Sequence, residues 1–492
     1  MMGWLKKIAP LGLLLVVVAI VFSRLPKVKG MDHLTPEFSA RRLMNWLPLG
    51  LTYSFMYMGR YNLKVSKHAF ETMAAPDGSA LMGNADFGMI FGIGTAIYGV
   101  SFLINGPLTD RIGGRKAVLG GTAGVIAVNA LMGVASWSLL THGVGSHFIG
   151  ANFVTVFSVL YAFNMYFQSF GAVSVVKVNA PWFHVRERGV FGAIFGILIS
   201  LGLYFAYDWS FLILENIGLA WVFLVPAIIL TLFLILDILL VRDRPGLAGQ
   251  ADFNTGDATS GDGDGPQLGA VEVFKLMIRN PIIITIALVE FSSGFLRQAI
   301  MQWYRTFASQ TNAVLGLTDS FVYENWGLLL CVAGILGGMV AGIISDRVFQ
   351  SRRGPVAVLL YGVMLISAVV MTFTYTTPLV SFLVIFMTMA VIGVHGMLSG
   401  TASMDFGGAR NVGVAVGIID GFVYLGTAVM SFTYAIILPD EELDAAGHLV
   451  GAATDPANWL WWPVSMIPVA LFGTYMASRL WNATPKGSSA GH

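Results

Sequence analysis

Apolar residues run along this chain in blocks of about 20, separated by short polar segments, long enough for helices that cross a bilayer core of roughly 30 Å. Twelve such blocks are legible, at about 43–63, 87–108, 117–138, 148–176, 189–208, 218–241, 281–304, 325–345, 356–375, 380–400, 411–438 and 459–481. Backbone groups have no water to bond in lipid, so a spanning segment must be a helix or part of a closed barrel, and blocks this long select helices. The pattern predicts an all-α membrane protein. Gly246–Gly269, rich in Gly and Asp, divides the blocks six and six and reads as a flexible linker. The expected organisation is an N-terminal six-helix bundle over 41–245, a linker over 246–270 and a C-terminal six-helix bundle over 271–483.

Basic residues set the expected orientation. Arg41, Arg42, Arg111, Arg115, Lys116, Arg186, Arg188, Arg242, Arg244, Lys275, Arg279, Arg347, Arg352, Arg353 and Arg410 fall at one end of the spans. Asp208, Glu215, Asp319, Glu324, Asp440, Glu441, Glu442 and Asp444 fall at the other. By the positive-inside rule the first end is cytoplasmic, with both termini of the twelve-helix core inside. Lys64 and Lys67 break the rule and are candidates for charges lining an outer vestibule.

Residues 1–30 hold a further apolar stretch, Ile8–Phe22, with Lys6 and Lys7 before it and Arg24, Lys27 and Lys29 after it. That asymmetry favours a thirteenth helix with its N-terminus outside. The other readings are a signal peptide, which lacks a small-residue cleavage site after the run, and a translation start at Met31.

Composition removes other classes. With 56% hydrophobic and 11% charged residues, the 492-residue chain carries about half the charge of a soluble domain. The formal net charge of +1 identifies no partner, and no nucleic-acid partner is expected. A single cysteine, Cys331, excludes an intrachain disulfide framework and fits no metal site; within its apolar helix it reads as packing. There is no phosphate-cradling nucleotide loop, metal-ligand cluster or nucleophile triad, so neither enzyme chemistry nor a metal or cofactor is expected.

Two charges stand where charge is expensive. Arg60 and Arg297 lie late in the first and seventh apolar blocks, Arg60 standing 50 positions ahead of Asp110 and Arg297 49 ahead of Asp346. Ionisable groups inside membrane helices mark pathways and sites. Two cations at matching places in two repeats point to an anion held where the halves meet. A guanidinium stays charged when desolvated and offers a planar fork of donors to a tetrahedral oxyanion.

The loop after the second block reads Gly106-Pro-Leu-Thr-Asp110-Arg111-Ile-Gly-Gly-Arg115-Lys116, and a partial second copy reads Gly342-Ile-Ile-Ser-Asp346-Arg347. Both resemble the cytoplasmic loop motif of the major facilitator superfamily, with one extra residue before the final basic pair of the first copy. The resemblance implies two six-helix bundles with pseudo-twofold symmetry, and a cytoplasmic gate held by Asp110, Arg111, Asp346 and Arg347.

Four further segments are similar to the organophosphate:phosphate antiporter family. They are Tyr57-Met-Gly-Arg60-Tyr-Asn62; Phe295-Leu-Arg297-Gln-Ala-Ile-Met-Gln-Trp303; Ser345-Asp346-Arg347-Val-Phe-Gln-Ser-Arg-Arg353-Gly354; and the group Trp182-Phe183, Arg186-Glu187-Arg188-Gly189 and Arg242-Asp243-Arg-Pro245. The resemblance spans about 43–481. It implies that Arg60 and Arg297 bind phosphate between the halves, that Tyr57 and Tyr98 line the site, and that a monomer in a bacterial inner membrane exchanges an organic phosphate for inorganic phosphate.

The departures concern substrate. Tyr61, Phe102 and Ile199 stand where the glycerol-3-phosphate branch of that family has two lysines and a histidine, and Glu290 stands where the resemblance suggests asparagine. Glu290 precedes Arg297 by seven residues, on the same helical face and roughly 10 Å along it. With Asp420 and His395 it is a candidate for coupling protons to transport, against the plainer reading that Glu290 pairs with a lysine or arginine. Two other functions therefore stand beside exchange: proton-coupled symport of a carboxylate or other small monoanion, and a transporter-like membrane sensor of a phosphorylated metabolite.

Overall fold

The computed structural model describes residues 12, 35–76, 78–184, 187–253, 255, 272, 275, 278–349, 352–402, 412–444 and 448–483. The expected extra helix over Ile8–Phe22, most of the linker, Arg186 and Arg410 lie outside them, as do the side chains of Asp110, Arg188 and Asp346.

Six long helices form the first half: α1 (Pro36–Phe70), α2 (Asn84–Ile112), α3 (Gly114–Thr141), α4 (Phe153–Asn179), α5 (Arg188–Tyr204) and α6 (Leu219–Leu240). The second half holds α7 (Pro281–Met301), α8 (Trp326–Val348), α9 (Arg353–Thr374), α10 (Leu379–His395), α11 (Val412–Ile437) and α12 (Trp461–Ser478). Local chemistry sets several boundaries. Pro36 and Pro281 occupy first-turn positions that need no amide donor, behind the capping side chains of Thr35 and Asn280. Gly113 joins α2 to α3 at φ +92°, a conformation that favours glycine.

Two block boundaries shift. The fourth block begins with a separate short helix, Ser146–Ala151, before α4 starts at Phe153. The fifth runs past 208, because a π-helical turn, Phe205–Trp209, carries α5 on into Ser210–Asn216.

Eleven helical segments among the described residues are long and apolar enough to cross a membrane. The first helix is the exception, because its neighbours are mostly protein. Asn62 donates to Asn129 at 2.6 Å, Asn129 to Asn164 at 3.0 Å, and Asn164 to the Gly59 carbonyl at 2.8 Å. Polar side chains so satisfied replace the lipid-facing surface that hydropathy rewards.

The halves meet mainly through α2 against α11 and α5 against α8. Exchanging the halves turns each of these pairs into the other, as pseudo-twofold symmetry requires. At the α2–α11 crossing Gly99 and Gly421 face each other, and a Cβ on either would lie 2.8 or 3.0 Å from the other's carbonyl oxygen.

The end of the molecule carrying Glu71, Asp208, Asp440 and Glu441 is termed the acidic end. There the halves cap each other's helices. Asp208 Oδ1 accepts from the Gly327 amide at 3.1 Å and Oδ2 from Leu328 at 3.0 Å, at the N-terminus of α8. Asp440 Oδ1 accepts from Asn84 and Ala85 at 2.7 and 3.3 Å, and Glu441 Oε2 from Asn84 at 2.8 Å, at the N-terminus of α2. Orphan amides and the helix dipole both favour a carboxylate there.

Lys64 and Lys67 are buried in this contact rather than lining a vestibule. Lys67 donates to Glu71 at 2.7 Å and to Glu441 at 2.6 Å, while Lys64 bonds Thr306 and lies over the rings of Phe87 and Trp303. At the opposite, basic end, several polar contacts tie elements within the first half. Arg42 pairs with Glu187 at 3.1 Å, and Asp243 accepts from the Arg115 amide at 2.8 Å.

Candidate functional site

The site lies on the later turns of α1 and α7 and midway along α11. Four contacts from α4 fix the Arg60 turn of α1: Tyr161 donates to the Arg60 carbonyl at 2.9 Å, Asn164 to Gly59 at 2.8 Å, and Gln168 to Met56 at 2.8 Å, while the Gln168 side-chain oxygen accepts from Arg60 Nη2 at 3.2 Å. Arg60 Nη1 donates to the Tyr424 hydroxyl at 3.1 Å, across the interface between the halves. The guanidinium carbon sits 4.4 Å from the Tyr57 ring centroid and 4.7 Å from that of Tyr98.

Arg297 reaches the same place from α7. Its guanidinium carbon lies 5.9 Å from the Tyr424 ring centroid, and Tyr57 and Tyr61 are within its electrostatic reach. One tyrosine of α11 therefore touches both arginines, by its hydroxyl and by its face. Arg60 is 1% exposed, yet its Nε has no hydrogen-bond partner among the described residues, and neither do Nε and Nη2 of Arg297.

Aromatic faces are what surround these cations. A desolvated cation–π contact contributes about 2 kcal/mol and leaves the positive charge uncancelled. A carboxylate in the same place would neutralise it. The arrangement thus surrounds two guanidinium groups with aromatic faces and leaves buried donor atoms of each without a partner among the described residues.

The aromatic lining is continuous. Tyr98 packs edge-on against Tyr424 at 4.2 Å between centroids, and Phe102 stacks on Tyr424 at 5.9 Å. Tyr61 stacks on Tyr207 at 5.8 Å, and its hydroxyl accepts from Gln298 at 3.0 Å. Two of the positions expected to have lost basic groups, Tyr61 and Phe102, are thus part of this lining, while Ile199 is a partly buried packing residue.

Toward the basic end, Glu290 is fully buried, and its Oε2 meets His395 Nδ1 at 2.8 Å. Its partner is a histidine, not the lysine or arginine of the plainer reading. Asp420 accepts from Ser399 and lies within electrostatic reach of His395, Glu290 and Arg297. All three coupling candidates therefore gather below Arg297. The gate candidates Arg111 and Arg347 are exposed near the basic-end termini of α2 and α8.

Sequence reading missed Tyr424, Gln168 and Gln298. Gln168 carried a signal: it lies one turn from Asn164 in an apolar block, an amide pair on one helical face. Tyr424 lies one turn from Asp420 on the same face and is otherwise indistinguishable from a packing aromatic.

Comparison with known proteins agrees with this architecture. A glycerol-3-phosphate transporter of Bacillus subtilis (strain 168) is 24% identical over 483 residues, covering 94% of this chain and 98% of that protein. The membrane sensor protein UhpC of Salmonella typhimurium is 24% identical over 407 residues, covering 80% of this chain and 84% of the sensor. The structure of the proton:xylose symporter XylE superposes with a TM-score of 0.62 at 14% identity, over 91% of this chain and 96% of its own. The sequence pattern described as Major Facilitator Superfamily matches residues 43–431. With two bundles of six helices meeting around paired arginines, the chain belongs to that superfamily.

Proposed function

We propose that the chain is a secondary transporter that exchanges a small organic phosphate for inorganic phosphate by alternating access. One observation carries the reading: Arg60 and Arg297 converge from opposite halves on Tyr424, with unpaired donor atoms and aromatic rather than carboxylate neighbours. An anion bridging them bonds both halves at once, so its binding is linked to their relative position. Similarity to a glycerol-3-phosphate transporter supports a phosphate ester as the organic substrate. In this reading the acidic end faces outward across a bacterial inner membrane, the basic end faces the cytoplasm, and Asp110, Arg111, Asp346 and Arg347 hold the cytoplasmic gate.

The test is uptake of labelled phosphate into proteoliposomes preloaded with phosphate, with Arg60→Lys and Arg297→Lys as controls. Lysine keeps the charge but loses the fork, so exchange is expected to fall by on the order of a hundredfold in each. Absence of exchange by well-folded protein overturns the reading. Similarity to UhpC supports a second one, a sensor, for which the same preparation binds a phosphate ester without turnover.

A further inference from the structure

Between the arginine pair and the acidic-end caps lie two more cations, Lys64 and Arg305, one from each half. Lys64 follows Arg60 by about one turn of α1, roughly 6 Å nearer the acidic end. Arg305 belongs to the short helix Tyr304–Gln310, which follows α7 past Arg297. Its guanidinium carbon lies 3.5 Å from the centroid of the Phe211 ring, on the extension of α5, and 4.2 Å from that of Tyr323. Arg305 is 7% exposed, yet its Nε has no hydrogen-bond partner and the group pairs with no carboxylate among the described residues. Lys64 is 1% exposed and bonds the Thr306 hydroxyl, beside the rings of Phe87 and Trp303. The Trp303 indole N–H is also unpartnered among the described residues.

The carboxylates within electrostatic reach of Lys64 are engaged elsewhere. Glu71 Oε1 meets His68 Nδ1 at 3.2 Å, and its Oε2 accepts from Lys67 at 2.7 Å and from Gln310 at 3.2 Å. Glu441 Oε1 accepts from Lys67 at 2.6 Å, and its Oε2 from the Asn84 amide at 2.8 Å. Lys64 lies within reach of Lys67, Arg305, Glu71 and Glu441, so three cations stand against two carboxylates, and both carboxylates bond Lys67. A buried excess of positive charge with unused donors is unfavourable until an anion completes it.

We propose that Lys64 and Arg305 form a second anion site, a stage between the acidic end and the arginine pair, which takes the tetrahedral oxyanion of inorganic phosphate or of a phosphate ester. This rests on the reading of Arg60 and Arg297 as the transport site. With the acidic-end caps parted, an entering anion meets Lys64 and Arg305 first. It then moves about one helical turn inward, from one pair of cations contributed by both halves to the next. Cations lining a low-dielectric cleft raise the rate of anion capture by about tenfold or more. The second site stands on one side of the arginine pair only, so it aids anions arriving at the acidic end and not those arriving at the basic end. The structural alternative is a clamp, with Arg305 joining Phe211 of one half to Tyr323 of the other. Loss of a clamp would bias the protein toward opening at the acidic end, and would lower the KM there while raising it at the basic end.

Phosphate exchange in phosphate-loaded membrane vesicles of both orientations tests this. An impermeant thiol reagent on Thr72→Cys, in a Cys331→Ser background, reports which end faces the medium, because Thr72 is exposed at the acidic end. In Arg305→Gln the KM for labelled phosphate presented at the acidic end should rise about tenfold, while that at the basic end stays within about twofold. Lys64→Gln carries the same expectation should Arg305→Gln fail to fold. A KM at the acidic end that is unchanged or lowered, or one that rises equally at both ends, overturns the second site. If well-folded wild type exchanges no phosphate, the proposed function falls instead, and equilibrium binding of labelled phosphate to the purified chain decides the second site alone. Binding lost in Arg305→Gln but kept in Arg60→Lys upholds it, and binding kept in Arg305→Gln overturns it.

Discussion

Asp208, on the extension of α5, accepts the backbone amides of Gly327 and Leu328 in the other half, at 3.1 and 3.0 Å. A helix cap of this kind contributes about 0.5–2 kcal/mol. Here that energy acts between the halves, on closure of the acidic end. Asp208→Ala should therefore shift the closed–open balance toward open by a few-fold up to about thirtyfold. Spin labels at the exposed positions Thr72 and Ala313, in a Cys331→Ser background, report it as a longer inter-half distance. An unchanged distance distribution would assign Asp208 to α8 stability alone.

The second cap adds a pH dependence. Burial pushes the Glu441 carboxyl up to about 7 from an ordinary 4.5, against the pull of Lys67. One ammonium between two carboxylates cannot neutralise both, and for Glu71 the Lys67 charge, with the His68 side-chain hydrogen bond, outweighs burial and holds it below the usual range. The closed end therefore holds a proton at Glu441 that an opened, hydrated Glu441 releases. Closure is favoured as pH falls from about 7 toward 4.5 and gains nothing further above 7. Burial pushes the His68 imidazole down to about 4 from 6.5, which opposes closure in acid, so the wild type alone mixes two trends. The difference between wild type and Glu441→Gln isolates the first. By the same spin-label distances, closure of the wild type relative to the variant should increase steadily as the pH is lowered through that window.

How much of this was legible in the sequence depended on the kind of relation. Apolar blocks revealed the helices because span length is a property of one segment. Arg60 and Arg297 stood out because a charge in an apolar block is rare whatever faces it. The Glu290–His395 pair was not legible: spacing gives height and face on one helix, and not which helix stands opposite. Lys64 and Lys67 stood out as exceptions to the positive-inside rule and so as candidates for an outer vestibule, yet the Glu441 partner of Lys67 lies 374 residues away. Tyr424 was hidden for another reason, since an aromatic at a core position gives the same signal whether it packs or binds.

Tyr424→Phe removes the hydroxyl that holds Arg60 and keeps the ring beneath Arg297. A hydrogen bond to a charged group is worth about 1.5–3 kcal/mol. The expected result is a rise of roughly tenfold or more in the KM for phosphate exchange, with protein yield and thermal midpoint near those of the wild type. A KM within twofold of wild type would mean that Arg60 is positioned by Gln168 and the Tyr57 and Tyr98 rings without it.

Tyr61 stands beside Gln298 in the aromatic lining, where the glycerol-3-phosphate branch of the resembled family has a lysine. Tyr61→Lys adds a third cation to the site, so it should favour doubly over singly charged substrates by on the order of tenfold. Competition of phosphate uptake by a phosphate monoester and by the sulfate monoester of the same alcohol measures this. An unchanged ratio would show that charge at this place is screened from the substrate.

The two caps at the acidic end are an exchange: a carboxylate at the far end of α5 serves α8, and carboxylates just past α11 serve α2. Each half gives a cap and receives one. A six-helix chain pairing with its own copy would make the same clasp twice from one acidic residue and one helix N-terminus. Closure of this end is therefore a property that a homodimer of half-length chains could already possess, and fusion into one polypeptide would free the two caps to diverge, as the single Asp208 and the Asp440–Glu441 pair with its attendant lysine have done.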